Sequence, residues 1–357
     1  KKNFFFFLSF FIIIIYPSFL MDPQDPNSFR HKFSYVNGII YHYVDQGEGY
    51  DNVIILCHGF PDLWYGWRYQ IPFLVSKGYR VIAPDLRGFG QTESPHCPPN
   101  DIHQYGYKNV CKDLSELMNQ LNLKKAIFMG HDWGGLVVWR MCIYHPEKVR
   151  AIISLGTPYT PPNDHYLDIE SVAELLPILQ YQVYLNHPKA EIELDRNPEL
   201  FLKSTFRSFK KEDRVRGFDG NSMLGNTPNN LEKSPMITNK ELDYYISQYK
   251  ARGFHGGLNY YKTRKVNFQD EKGARKQIHH PALMITLDDD IFFPHTMIKN
   301  MNKYCKDLTM KSIDKCFHWA MIEQTQKFHD IIEPFLDNIS QKELQNRNTE
   351  KKFKAKI

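Results

Sequence analysis

No two cysteines in this chain are spaced C-x-x-C. The six present, Cys57, Cys97, Cys111, Cys142, Cys305 and Cys316, are scattered, several of them inside apolar runs. This excludes the disulfide frame of a small secreted domain and reads as buried free thiols in a reducing compartment. A basic stripe interleaved with aromatics is also missing, so nucleic acid is not expected as a partner. The excess of positive charge is only +5 over 357 residues, and Lys351, Lys352, Lys354 and Lys356 in the tail supply much of it. Neither a cluster of metal ligands nor a phosphate-cradling glycine loop is visible, and no metal or organic cofactor is expected. Position 1 is not methionine; the first methionine is Met21.

Ahead of Met21, Lys1-Lys2 precede an apolar run from Phe4 to Ile15. The run is short for a full membrane span and has no small-residue cleavage site. One reading is a signal peptide or anchor, giving membrane association through residues 4–20 with the lysines on the cytosolic side. The other is an AT-rich untranslated stretch rendered as protein. The expected location is the cytoplasm, or the cytosolic face of an intracellular membrane if the segment is real. The oligomeric state is not legible.

The remainder is ordinary for a globular protein, with 42% apolar and 24% charged residues. Phe33 to Asp45 alternates around Asn37-Gly38, the strongest short hairpin signal. Val53 to Cys57 is a continuous apolar run, as in a parallel strand buried on both faces. It leads into His58-Gly59-Phe60-Pro61. A helix carrying Trp64, Trp67 and Ile71 is expected next, then a strand over Arg80 to Ala83. The loop Asp85-Leu86-Arg87-Gly88-Phe89-Gly90 is taken as structural. Further buried strands are expected at Ala126–Met129, Ala151–Leu155 and Ala282–Leu287, with a last short one around Thr309 to Ile313. Between Pro158 and Lys276 the strand rhythm breaks into helical patterns, prolines and tyrosines, and the Gly217 to Pro235 segment reads as a loop. The expectation is an α/β fold: a mostly parallel sheet with helices on both faces and an inserted helical lid at the carboxyl edge of the strands. The boundaries are a leader and linker over 1–28, core over 29–157, lid over 158–276, core again over 277–340 and a basic tail over 341–357.

The chain is organised around Gly130-His131-Asp132-Trp133-Gly134-Gly135. A short strand precedes it and an apolar helix follows, ending at Pro146. Glycines two before and two after Asp132 give the spacing of a nucleophile elbow, where strand and helix pass too closely for a Cβ. The central residue is aspartate, which excludes a serine esterase at this turn. The helix N-terminus behind it should keep the carboxylate ionised. The backbone N–H groups of Phe60 and Trp133 are candidates for the two halves of an oxyanion hole. An acid after a late strand, in Asp288-Asp289-Asp290, and His318 after the last strand complete the order nucleophile, acid, histidine.

Together His58-Gly59-Phe60-Pro61, Trp64-Tyr65-Gly66-Trp67-Arg68, the elbow and Phe317-His318-Trp319 resemble the epoxide hydrolases of the α/β-hydrolase superfamily, and in particular the hydrolase domain of the animal soluble enzymes. The resemblance runs from about Phe29 to Ser340. It implies Asp132 as nucleophile, His318 as base, Asp290 as supporting acid with Asp288 as fallback, and Tyr181 and Tyr261 as lid tyrosines that activate the epoxide oxygen. Trp64 and Trp319 are expected to contact a small apolar epoxide substrate. The implied reaction forms an aspartyl ester and hydrolyses it to a vicinal diol. Phe317 stands where the family usually has glycine, and is expected either to crowd the base or to reshape the pocket. A dehalogenase could use the same Asp–His–Asp set, but a haloacid enzyme would place arginine close behind the nucleophile, where this chain has Trp133 and two glycines. A non-catalytic binding scaffold on the same fold is the remaining alternative.

Overall fold

Residues 21–293 and 295–354 are described by the computed structural model. The apolar leader and both of its readings lie outside them. The sheet has eight strands: β1 (His31–Val36), β2 (Ile39–Gln46), β3 (Asn52–Cys57), β4 (Tyr79–Pro84), β5 (Ala126–His131), β6 (Val149–Leu155), β7 (Ile278–Leu287) and β8 (Cys305–Ile313). Their order across the sheet is β1-β2-β4-β3-β5-β6-β7-β8. The pairs β1–β2 and β2–β4 are antiparallel and the rest parallel. Asn37 and Gly38 both have positive φ, at 45° and 85°, as the tight β1–β2 turn requires.

Residues of β3, β5 and β6 are buried on both faces, because helices cover both sides of the sheet. Strand β8 differs. It starts four residues earlier than its apolar run indicated, and most of its side chains are exposed. An edge strand buries little, so the apolar signal marks only its end.

The Trp64 region also departs from expectation. Trp64–Trp67 forms a 3-10 turn, and the helix proper, α1 (Gln70–Ser76), begins three residues later. Gly66 lies inside the turn, and the Trp64 N–H is taken by Asp85 Oδ1 at 3.0 Å. Asp85 also accepts from the Gln91 N–H at 3.0 Å and pairs with His42 Nδ1 at 2.7 Å. The loop after β4 thus has the structural part expected of it. Helix α2 (Tyr107–Gln120) precedes β5, and α3 (Trp133–Tyr144) follows it directly.

Between β6 and β7 the described chain is helical or irregular: α4 (Ile169–Leu175), α5 (Gln180–Leu185), α6 (Pro188–Arg196), α7 (Pro198–Thr205), α8 (Asn239–Arg252), α9 (His255–Asn259) and α10 (Arg264–Asp270). Helix α8 starts with a capping box, Thr238 with Glu241. The same Glu241 carboxylate reaches back to the core, accepting from Arg68 Nε at 2.7 Å and the Tyr69 hydroxyl at 2.6 Å. The chain closes with α11 (Met301–Tyr304), α12 (Ala320–Glu323) and α13 (Thr325–Lys354), which carries helix into the basic tail. All six cysteines are buried and unpaired with one another. Among the described residues no helix is long and apolar enough to cross a membrane.

Gly134 shows how closely the layers meet. A Cβ there would lie 2.0 Å from the Cys57 carbonyl oxygen, and one on Gly130 would lie 2.3 Å from the Gly134 oxygen. Gly134→Ala must push α3 off β3. It should destabilise the chain by about 1–3 kcal/mol or more, read as a fall in the midpoint of urea unfolding.

Candidate active site

Asp132 caps α3 with φ 53° and ψ −122°. An L-residue holds positive φ only where its surroundings enforce it, and here the glycine contacts do so. Its Oδ1 accepts the Phe60 N–H at 2.8 Å. The other oxygen, Oδ2, lies 3.9 Å from His318 Nε2, too far for a direct hydrogen bond but bridgeable by one water. Burial raises the Asp132 pKa above the usual aspartate value. His318 and the N–H groups of Phe60 and Trp133 oppose this without cancelling it. The helix N-terminus therefore offsets desolvation only in part.

His318 sits on the loop after β8, with Nδ1 3.0 Å from Asp290 Oδ2. Burial depresses its pKa, but Asp290 and then Asp132 outweigh burial and lift it above the usual histidine value. Asp290 is held in place by the Phe292 N–H, which donates to its Oδ1 at 2.8 Å. Asp288 is exposed and Asp289 pairs with Arg214 at 3.2 Å, so of the three aspartates it is Asp290 that reaches the histidine.

Tyr181, from α5, and Tyr261, just past α9, line one cleft with Asp132, and their rings lie 6.5 Å apart. Tyr261 also meets Trp133 and Phe60 edge to face, at 5.0 and 5.5 Å. Burial pushes both phenols above their ordinary pKa, helped by Asp132 at Tyr181 and by Tyr181 and then Asp132 at Tyr261, so both keep their protons at neutral pH. The cleft has a volume of about 320 Å³, room for a small ligand.

Two expected contacts are not made there. Trp64 is wholly buried between Phe29 and Tyr244, its Nε1 donating to the Tyr244 hydroxyl at 2.9 Å, and it does not line the cleft. Trp319 lies behind His318, ring centroids 5.0 Å apart, and donates its Nε1 to the Thr205 carbonyl at 2.8 Å. Both are large amphipathic rings that found partners inside the protein. Phe317 is half-buried, its ring near Phe292 and beneath the Arg214 guanidinium, and its N–H donates to Glu323 at 2.9 Å.

Three groups near the site carried no decisive sequence signal. His58 is neutral and in one tautomer: burial lowers its pKa to about 4, Nδ1–H donates to the Gly59 carbonyl, and Nε2 accepts the Leu86 N–H at 3.0 Å. It stiffens the loop that presents the Phe60 N–H. His131 packs on His318 at 4.4 Å, and burial holds its pKa well below the usual value. Asp62 follows Pro61 directly. Its Oδ1 accepts from the Tyr245 hydroxyl at 2.7 Å, and burial lifts its pKa to about 7.

A family model described as the alpha/beta hydrolase fold matches residues 52–325. Bifunctional epoxide hydrolase 2 of Sus scrofa is 36% identical over 320 residues, and that of Mus musculus 36% over 341. These matches cover 88% and 93% of this chain but only 56% and 59% of the relatives, so the chain spans little more than half their length. Epoxide hydrolase srdG of Neurospora crassa is 31% identical, covering 88% of this chain and 97% of its own. Among solved structures, Epoxide Hydrolase A from Mycobacterium thermoresistibile superposes with a TM-score of 0.75 at 29% identity, covering 86% of this chain and 98% of its own. The chain belongs to the epoxide hydrolase family. Within it, this chain carries the eight-stranded sheet and the Asp132, His318 and Asp290 geometry described above.

The histidine electrostatics of this epoxide hydrolase relative give a signed expectation. A histidine can remove a proton only in its neutral form, and the Asp290 carboxylate favours the charged form of His318. Asp290→Asn should shift the acid limb of any His318-dependent rate to lower pH while lowering its plateau, as read from single-turnover pH profiles.

Proposed function

We propose that this chain opens epoxides to vicinal diols through a covalent aspartyl ester, acting on small apolar epoxides and needing no cofactor. The observation that carries the reading is the split duty of the Asp132 carboxylate. One oxygen is held by the Phe60 N–H, and the other faces His318 across 3.9 Å in a cleft shared with two phenols.

Asp132 Oδ2 attacks an epoxide carbon from behind, the C–O bond breaks, and Oδ1 becomes the ester carbonyl oxygen. Tyr181 and Tyr261 hydrogen-bond the departing oxygen, and one donates its proton to it. An alkoxide is more basic than a phenol, which in water has a pKa of about 10; burial raises both phenols and so narrows that driving force. His318, oriented by Asp290, then takes a proton from water, and hydroxide adds to the ester carbon. Negative charge collects on Oδ1, where the Phe60 N–H already points and the Trp133 N–H is adjacent. Collapse breaks the Cγ–Oδ2 bond, and the departing alkoxide takes the proton of the added hydroxyl and leaves as the diol with Oδ2. The carboxylate is restored with the water oxygen, and the proton held by His318 returns to the tyrosinate. Residues 158–276 act as the lid that brings both tyrosines over the elbow. Buried free thiols suit a reducing, cytoplasmic setting.

Two experiments test the scheme. His318→Gln should allow ester formation and stop hydrolysis, so intact mass should rise by one substrate; an unmodified mass under saturating epoxide would refute the intermediate. Asp132→Ala should abolish both adduct and turnover. In pre-steady-state alkylation, Tyr181→Phe or Tyr261→Phe alone should slow ring opening roughly ten- to a hundred-fold, the equivalent of about 1.5–3 kcal/mol. The double variant should lose far more, and a wild-type alkylation rate in it would remove the tyrosines from the mechanism.

A further inference from the structure

The cleft extends well past Asp132. Asp132 caps α3, and Leu136 and Arg140 follow at i+4 and i+8, one stripe along the helix. All three line the cleft. By helical rise Arg140 stands about 12 Å beyond the nucleophile. Leu136 lies between them on the stripe, and Val172, Leu176 and Leu179 add apolar lining to the same cleft. At the far end the lining turns polar, with Tyr107, Arg140, Asn267 and Glu271.

Arg140 is only 4% exposed. Its Nε and Nη2 donate to Glu271 at 2.7 and 3.1 Å, and its guanidinium lies over the rings of Tyr107 and Tyr159. The remaining nitrogen, Nη1, has no hydrogen-bond partner among the described residues. Its neighbour Asn267 is engaged, accepting the Tyr107 N–H at 2.8 Å and donating to Thr263 at 2.9 Å. A buried ion pair serving packing alone is readily replaced by apolar residues. One that leaves a charged donor unpaired beside a cavity is suited to an acceptor brought by a ligand.

We propose that this pole binds an uncharged hydrogen-bond acceptor on the substrate, a ketone, ester or amide oxygen carried about 12 Å from the epoxide. The apolar chain between would lie along the α3 stripe. The inference rests on the epoxide reading above and adds a substrate class to it. Charge decides against a carboxylate. Glu271 already neutralises Arg140, and a second carboxylate would be buried beside the first. The other arginine of the cleft, Arg264, is half-buried, donates Nε to the Leu167 carbonyl, and faces the exposed Asp168.

The test compares epoxides of equal chain length ending in a methyl ester, in plain alkyl or in carboxylate, with styrene oxide as a short reference. The wild type should favour the ester over the alkyl compound by roughly ten-fold or more in kcat/KM, mostly through KM, and should disfavour the carboxylate. In Arg140→Met/Glu271→Leu, which removes the pair without stranding a charge, the ester-to-alkyl ratio should fall to near one. Equal use of ester and alkyl by the wild type, preference for the carboxylate, or a retained ratio in the double variant would overturn the proposal. The wild-type series decides even if the double variant does not fold. Wild type inactive on styrene oxide and on every long epoxide would instead overturn the epoxide reading, and this inference with it.

Discussion

Strand β5, helix α3 and the end of β3 meet where Gly130, Gly134 and Cys57 touch backbone to backbone. A Cβ at either glycine would overlap main-chain atoms. The chain can make this turn only by placing Asp132 at positive φ, which lifts its carboxylate out of the sheet plane and in front of the Phe60 N–H. The strain is local. The contacts that enforce it extend through β3, β5 and β6, which are buried along almost their whole length.

Around that point the helices between β6 and β7 are tied to the core by buried polar contacts. Arg68 meets Glu241 at the start of α8, Asp62 meets Tyr245 within it, and Arg140 meets Glu271 just after α10. Replacing such pairs with apolar residues often costs little, whereas removing one partner leaves a buried charge uncompensated. Tyr261 lies on the segment between the second and third of these anchors, and Tyr181 meets it across the cleft. The segment that carries Tyr261 is thus held on both sides by anchors outside the cleft or at its far end.

Burial also explains the electrostatics. Taking Asp132 out of water favours its neutral form, yet the scheme needs a carboxylate, and the backbone donors and His318 supply the opposing interaction. The same burial keeps both phenols protonated and His58 and His131 neutral. Burial thus favours the protonated phenols of the proposed scheme and works against its Asp132 carboxylate, while Asp290 and Asp132 draw His318 toward its charged form.

The elbow spacing, the strand–helix rhythm and the order of acid and histidine are local or sequential features, and the amino-acid sequence alone determined them. The close packing of glycines and the periodicity of buried strands leave a residue-by-residue imprint. Contacts between distant segments leave none. Three adjacent aspartates look alike in sequence, and only the path of the loop after β7 brings Asp290 to His318. Trp64 and Trp319 look like substrate contacts because large aromatics suit binding sites and interiors equally, and the fold put both inside. The exposed edge strand β8 was half invisible for want of an apolar face. Arg140 reads as one basic residue in an apolar helix. Its meeting with Glu271 and the free edge of its guanidinium exist only once α3 and the segment after α10 are packed together, because a pairing between side chains more than a hundred residues apart is decided by the tertiary fold.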